Sequence, residues 1–166
     1  MSKVVVEGRD FGAMLVLQAL LTDTFERVST TTLSLGERSI GAIYLYDGLP
    51  AGLAVYVNGN RVDPALAIKE LLVVSKTLAD RPLNDATLRR FKSAAQGTFV
   101  TDATAYADRA YYLGTFGAYG LGADPLNAAL ASLDNATASD VQRVAKRYLQ
   151  RFVVALVVPR QTSTGN

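Results

Sequence analysis

The sequence predicts an α+β fold: a mixed, mostly antiparallel sheet with helices packed on one face. Three observations predict it. Two runs rich in β-branched and aromatic residues, 40–46 and 52–58, flank a turn in the first third of the chain. Helical patterns punctuated by Pro, Gly, Asn and Asp then fill the second half. A last β-branched run, 152–158, returns after the helices. A few strands, several helices and a returning strand are the order of a sheet whose helices are segregated to one face.

Val4 to Glu7 is a short β-branched run and reads as a strand. Asp10 can cap a helix through Leu21, with Phe11, Met14, Leu15, Leu17, Gln18 and Leu21 near helical spacing. Residues 29–35 are rich in hydroxyls and commit to no period. Ile40 to Tyr46 and Gly52 to Asn58 are strands. The Asp47-Gly48-Leu49-Pro50 turn makes them an antiparallel hairpin.

Asn58-Gly59 is a turn, Asp63 an N-cap and Pro64 a first helical residue, so a helix runs to about Leu78 and stops before Pro82. Asn84 or Asp85 opens the next helix. Leu88, Phe91, Ala95 and Phe99 line its inner face, while Arg89, Arg90, Lys92 and Gln96 face out. A further helix spans about Ala103 to Phe116 and ends in the glycine-rich stretch Gly114 to Gly122. A short helix follows Pro125. The last helix starts at Thr137, with Asp140 as its capping-box partner. Val141, Val144, Ala145 and Tyr148 form its apolar stripe, and Arg143, Lys146 and Arg147 the opposite face. Phe152 to Val158 is the closing strand, ended by Pro159.

Composition bounds the function. The 166 residues are 49% apolar and 19% charged, the balance of a globular chain. They read as one domain over residues 1–160 with a flexible tail at 161–166. The N-terminal MSKVVVEGRDFGAM is broken by charge and does not read as a signal peptide. The uncharged stretch Phe11 to Thr22 is too short to span a bilayer. A formal charge of +2 is too small to imply nucleic acid or an anionic membrane as a partner.

The chain has no Cys and no His. Thiolate and imidazole ligands are therefore absent, and with them nearly every zinc site. No Ser-His-Asp triad can form and no imidazole base exists. Carboxylates, Lys, Tyr, Arg and hydroxyls remain, which favours a binding, structural or helper role over a complete hydrolase. No phosphate-binding glycine loop or nucleophile elbow is present. Asn58, Asn60 and Asp63 read as a turn and a cap rather than as calcium ligands. The cluster Arg143, Lys146, Arg147 and Arg151 reads as a solvated basic face, or more sharply as the site of an acidic partner. Tyr44, Tyr46, Tyr56, Tyr106, Tyr111 and Tyr112 read as core-edge residues, or as the lining of a peptide groove.

The end of the chain carries a resemblance. TASDVQRVAKRYL, 137–149, followed by FVVALVVP, 152–159, resembles the end of a domain of the insulinase family. That family is the pitrilysin and mitochondrial processing peptidase group of zinc metallopeptidases. LNDATLRRFKSAAQG, 83–97, and ADRAYYLG, 107–114, resemble its successive helices, and Leu17 to Val28 resembles its helix leading into an Arg-hydrophobic pair, here Arg27-Val28. The resemblance implies a clamshell of two similar α+β halves closing on an unfolded peptide. One half holds zinc through an inverted His-x-x-Glu-His motif. A chain without His resembles the other, non-zinc half, with no cofactor of its own and zinc only in the partner.

Several expectations follow from that resemblance. No residue here is catalytic and none binds metal. Arg27 matches an Arg that reaches the peptide near the scissile bond. Within GERSIGAIYLY, 36–46, Tyr44 is the residue offered for the Tyr that accompanies it. The partner is a zinc-carrying homologous half or a second copy of the chain, with an unfolded peptide as substrate. A longer strand region begins such domains, so the N-terminus reads as trimmed. Some members are inactive scaffolds, so the alternative is a non-catalytic interaction domain of the same fold that docks against a partner half.

Overall fold

A computed structural model describes residues 9–31, 38–45, 52–59, 63–102, 104–118, 124–150 and 152–157. They form α1 (Arg9–Thr31), β1 (Arg38–Leu45), β2 (Gly52–Gly59), α2 (Pro64–Asp80), α3 (Asp85–Asp102), α4 (Tyr106–Ala118), α5 (Pro125–Asn135) and α6 (Ala138–Tyr148). The architecture is α+β, with the antiparallel hairpin laid on α1, α2, α3, α5 and α6 gathered around that helix, and α4 packed on α5.

The expected helix over residues 10–21 is twice that length. Helical spacing continues through Phe25, which is buried, and Val28, which packs against the core. The uncommitted hydroxyl stretch therefore begins inside α1. Every residue from Phe11 to Leu17 is buried, so this half of the helix is enclosed on all sides. It packs against α5, β1, α6, α3 and α2. Burying Phe11, Met14, Leu17, Leu21 and Phe25 stabilises the fold by roughly 1.5–3 kcal/mol each.

Gly12 sets how closely α1 and α5 approach. A Cβ there would lie 2.1 Å from the carbonyl oxygen of Ser132, a contact with rigid backbone. The Gly12 amide also donates to Ser132 Oγ at 3.1 Å.

In the hairpin, Ile40 pairs with Val57, Ala42 with Val55 and Tyr44 with Leu53. Alternation turns Ala42 and Tyr44 into the core, with Ile40, Leu53 and Val55 packed against it. Gly41 pairs with Tyr56, whose ring covers the place a Cβ would take. The outer edge of β1 is closed by α1. Ala42 N donates to Thr22 Oγ1 at 3.0 Å and Tyr44 N to Gln18 Oε1 at 3.1 Å.

The helix boundaries follow the caps. Asp63 accepts from Ala65 N and Leu66 N, so it is the N-cap of α2. Asn84 Oδ1 accepts from Thr87 N at 2.8 Å at the start of α3. Thr137 and Asp140 form the capping box of α6. Gln142 Nε2 donates to the carbonyls of Ala79 and Asp80, tying α6 to the end of α2. Lys92 Nζ donates to the Asp134 carbonyl at 2.5 Å, holding α3 to α5. α4 ends at Ala118, inside the glycine-rich stretch and two residues beyond the expected Phe116.

The closing strand is the main difference from expectation. Residues 152–157 carry no strand structure and pair with nothing among the described residues. Val153 is 97% and Val157 92% exposed. Composition favours a strand, but propensity does not supply a partner, and this run finds none among the described residues. The expected strand Val4–Glu7, the turn at 47–50 and the tail at 161–166 lie outside the described residues. Among the described residues no helix is long and apolar enough to cross a membrane.

Gly12→Ala gains about 1 kcal/mol of helix propensity but forces α1 off α5. The net expectation is a loss of about 2 kcal/mol, read as a melting temperature lower by roughly 4–8 °C. An unchanged melting temperature would show that the helix contact is not tight.

Candidate functional site

A groove of about 580 Å³ runs between the second half of α1, β1, α3 and α4. Gln18, Thr22, Asp23 and Glu26 come from α1, Ile43 and Tyr44 from β1, Phe99 and Asp102 from α3, and Tyr111 and Tyr112 from α4. The helical period of α1 puts 15, 18, 19, 22, 23 and 26 on one face, so its polar half turns toward the groove. The floor is aromatic. Phe99 stacks at a tilt on Tyr112, with centroids 5.9 Å apart, and Tyr112 meets Tyr111 at the same distance.

Arg27 is held at the groove's margin. Its guanidinium pairs with Asp23 one helical turn back, at 2.9 Å, while its side chain stays 67% exposed. Arg90 of α3 reaches the same carboxylate at 2.6 Å and stacks its guanidinium over Phe91. Asp23 thus carries two arginines, one from its own helix and one across the groove.

Tyr44 belongs to the groove wall on the β1 side. Its side chain is buried against Phe11, with ring centroids 5.8 Å apart, and its amide is bonded to Gln18. Arg27 is nine residues further along α1 than Gln18, roughly 13 Å of helix. The structure sets both near one groove without bringing them together. Burial first, then the nearby Tyr148 and Asp10, push the Tyr44 phenol well above its ordinary value.

Behind Tyr44 is a second charged centre. Asp10 receives Arg143, Arg147 at 3.6 Å and the Tyr148 hydroxyl at 3.3 Å. Arg143 also reaches Asp140 at 3.3 Å. The hydrogen bond to Asp10 is the main cause of the raised Arg143 pKa, against the opposing effect of burial. Burial, then Asp10, raises the Tyr148 phenol. An acidic partner for part of the basic face of α6 is therefore inside the chain.

Sequence reasoning missed Asp23, Arg90, Gln18 and Asp10. The Asp23–Arg27 pair had a signal in its i,i+4 spacing. Arg90 and Asp10 had none, because their partners are 67 and 133 residues away.

Guanidinium and phenol groups can donate to a peptide carbonyl, a carboxylate or an oxyanion. Among the described residues no three His, Cys, Asp or Glu side chains come together to hold a metal ion.

No family model matches the chain. No curated protein matches it significantly. Solved structures do. The inactive peptidase domain of a proposed zinc protease from Bordetella parapertussis superposes with a TM-score of 0.72 at 17% identity, covering 96% of this chain and 90% of that one. A proposed zinc protease from Bordetella pertussis Tohama I gives 0.68 at 19%, covering 89% and 83%. A protease from Helicobacter pylori gives 0.65 at 18%, over 88% of this chain and 36% of that one. At these identities the likeness is one of fold.

The tyrosines give a pH prediction. Unfolded Tyr ionises near pH 10, whereas burial raises the Tyr44 and Tyr148 phenols above that value in the fold. The unfolded state then binds fewer protons, so stability falls as pH rises above about 10 and is unaffected by these groups at pH 7–9. Tyr44 contributes at most about 1.4 kcal/mol per pH unit to that fall. Urea midpoints from pH 7 to 11.5 should bend downward near 10, and less so in Tyr44→Phe. A curve as steep in the variant would mean that Tyr44 is not the group responsible.

Proposed function

We propose that the chain is the non-zinc, substrate-groove half of an insulinase-like zinc metalloendopeptidase, acting as one domain over residues 1–160 and inactive alone. The observation that carries this reading is the fold match to an inactive peptidase domain by a chain with no His. The groove beside Asp23 and Tyr44 supplies a place for an unfolded peptide.

Zinc does not fit the residues present, so no step runs through a metal held here. It would reside in a homologous partner half, where it activates water for peptide hydrolysis. This chain's part is to bind and orient. Arg27, mostly exposed, leaves Asp23 and donates to a peptide carbonyl or carboxylate. Tyr44, buried in the closed groove wall, reaches an oxyanion only if the hairpin shifts from α1.

That burial favours the second reading at this residue. Tyr44 packs as a core residue does, against Phe11 and with its amide on α1. A scaffold domain that kept the fold and lost the helper pair would look the same there.

The test combines the chain with a His-x-x-Glu-His half and follows cleavage of an unfolded peptide. Cleavage should require the chain. Arg27→Ala should lower kcat/KM by roughly 10- to 100-fold, the loss of one charged hydrogen bond, with the melting temperature unchanged because the side chain is exposed. A complex that cleaves equally well with Arg27→Ala supports the scaffold reading. Absence of any complex overturns both.

A further inference from the structure

One end of the groove combines a carboxylate with aromatic rings. Along α3 the groove is lined by Phe91, Ala94, Ala95, Thr98, Phe99 and Asp102, a single helical stripe. Asp102 closes that stripe as the last residue of α3, and it is exposed. A helix ends in the negative pole of its dipole, and α3 has no basic residue in its last turn to offset the added charge. Phe99, one turn back, stacks on Tyr112, and Tyr112 meets Tyr111. α4 thus brings two phenol rings to the same end. Tyr111 is 55% exposed, a ring open to a ligand.

The rest of the lining agrees in charge. It carries the carboxylates Asp23, Glu26 and Asp102 against one guanidinium, Arg90. The Asp23 end shows what a carboxylate beside a ring holds here. Arg90 lies 2.6 Å from Asp23, with its guanidinium 5.0 Å from the centre of the Phe91 ring. The Asp102 end offers the same two elements, a carboxylate for the charge and ring faces for the cation. The chain as a whole carries +2 and does not attract cations in general, so the attraction is local to this groove.

We infer that the Asp102 end of the groove is a specificity pocket for a basic side chain, Lys or Arg, of the bound peptide, with Asp102 as its counter-ion and Tyr111 and Tyr112 as its walls. The inference rests on the reading of this groove as a peptide groove. Asp23 meets Arg90 and Phe11 meets Phe99, so α1 and α3 run in opposite directions and the groove extends along α3 between them. From Arg90 to Asp102 the helix rises about 18 Å. An extended peptide covers that length in about five residues. The basic side chain therefore lies about five residues from the part of the peptide that meets Arg27 beside Asp23.

The test uses the full chain and short, unfolded, fluorescein-labelled peptides of Ala, Ser and Leu that carry one central Lys, or Gln in its place. Fluorescence anisotropy should show the Lys peptide binding about tenfold more tightly than the Gln peptide, the worth of one ion pair and one cation–ring contact. Asp102→Asn should cut that preference about fivefold and Tyr111→Leu about threefold, with binding of the Gln peptide unchanged in Asp102→Asn. The melting temperature of Asp102→Asn should not fall, because the change removes an anion from the negative end of α3. Equal binding of the Lys and Gln peptides overturns the inference and leaves the peptide groove standing. So does a Lys preference that Asp102→Asn leaves intact. Failure of both peptides to bind overturns the groove reading itself, and this inference with it.

Discussion

Enclosure of the first half of α1 is the constraint on which the rest depends. Seven consecutive residues, Phe11 to Leu17, are buried, so this stretch cannot be an ordinary surface helix with one wet face. It must be surrounded, and the chain surrounds it with β1 on one side and α5, α6 and α3 on others. Gly12 lets α5 come within backbone contact. Ala42 and Tyr44 cover the helix from the hairpin, and Val141, Val144 and Ala145 cover it from α6. The other elements are short or half-exposed. β1, α2, α3, α5 and α6 stay in place because each buries its apolar side against this helix rather than through its own propensity, while β2 is held by β1 and α4 by α5.

Charge is arranged to suit that enclosure. Asp10 stands in the first turn of α1, where a negative charge is favoured by the helix dipole. It is also the acceptor for Arg143, Arg147 and Tyr148. A carboxylate at the mouth of an apolar core would be costly alone; here cations and a hydroxyl from α6 surround it. The arginines remain nearly half exposed, so their pairing adds modest stability and mainly orients α6 over α1. The basic face thus turns part of its charge inward, which agrees with a chain of small net charge.

How much was legible follows from the range of each interaction. Caps are local, so Asp63, Thr137 and Asp140 could be read directly, as could the inward stripe Phe91, Ala95 and Phe99. The hairpin was legible because its turn chemistry and alternation lie within about twenty residues. The length of α1 was not, because Thr and Ser weaken helix propensity while Phe25 is held by tertiary burial. The run 152–157 misled for the opposite reason: its propensity is strong, but pairing depends on a distant edge. The groove was half legible. Tyrosines could be seen as candidates for its wall, but Arg90 on Asp23 joins residues 67 apart, and no period in the chain encodes that.

That long-range pair also changes what Arg27 can do. A single arginine on a single aspartate could leave only by stranding a partly buried carboxylate, and such carboxylates are costly without partners. Asp23 has Arg90 as well, at the shorter distance of 2.6 Å and braced over Phe91. When Arg27 swings away, Asp23 keeps a charged partner and the groove wall keeps its shape. The departure gives up the ion pair, worth roughly 0–1 kcal/mol at this exposure, and the Arg27 Nε–H bond to the Asp23 carbonyl at 3.4 Å. A peptide carboxylate or carbonyl offers the guanidinium at least as much in return. The duplicated partner on Asp23 therefore does two things at once. It fixes α3 across the groove from α1, and in the proposed reading it leaves Asp23 a cation when Arg27 turns to a ligand.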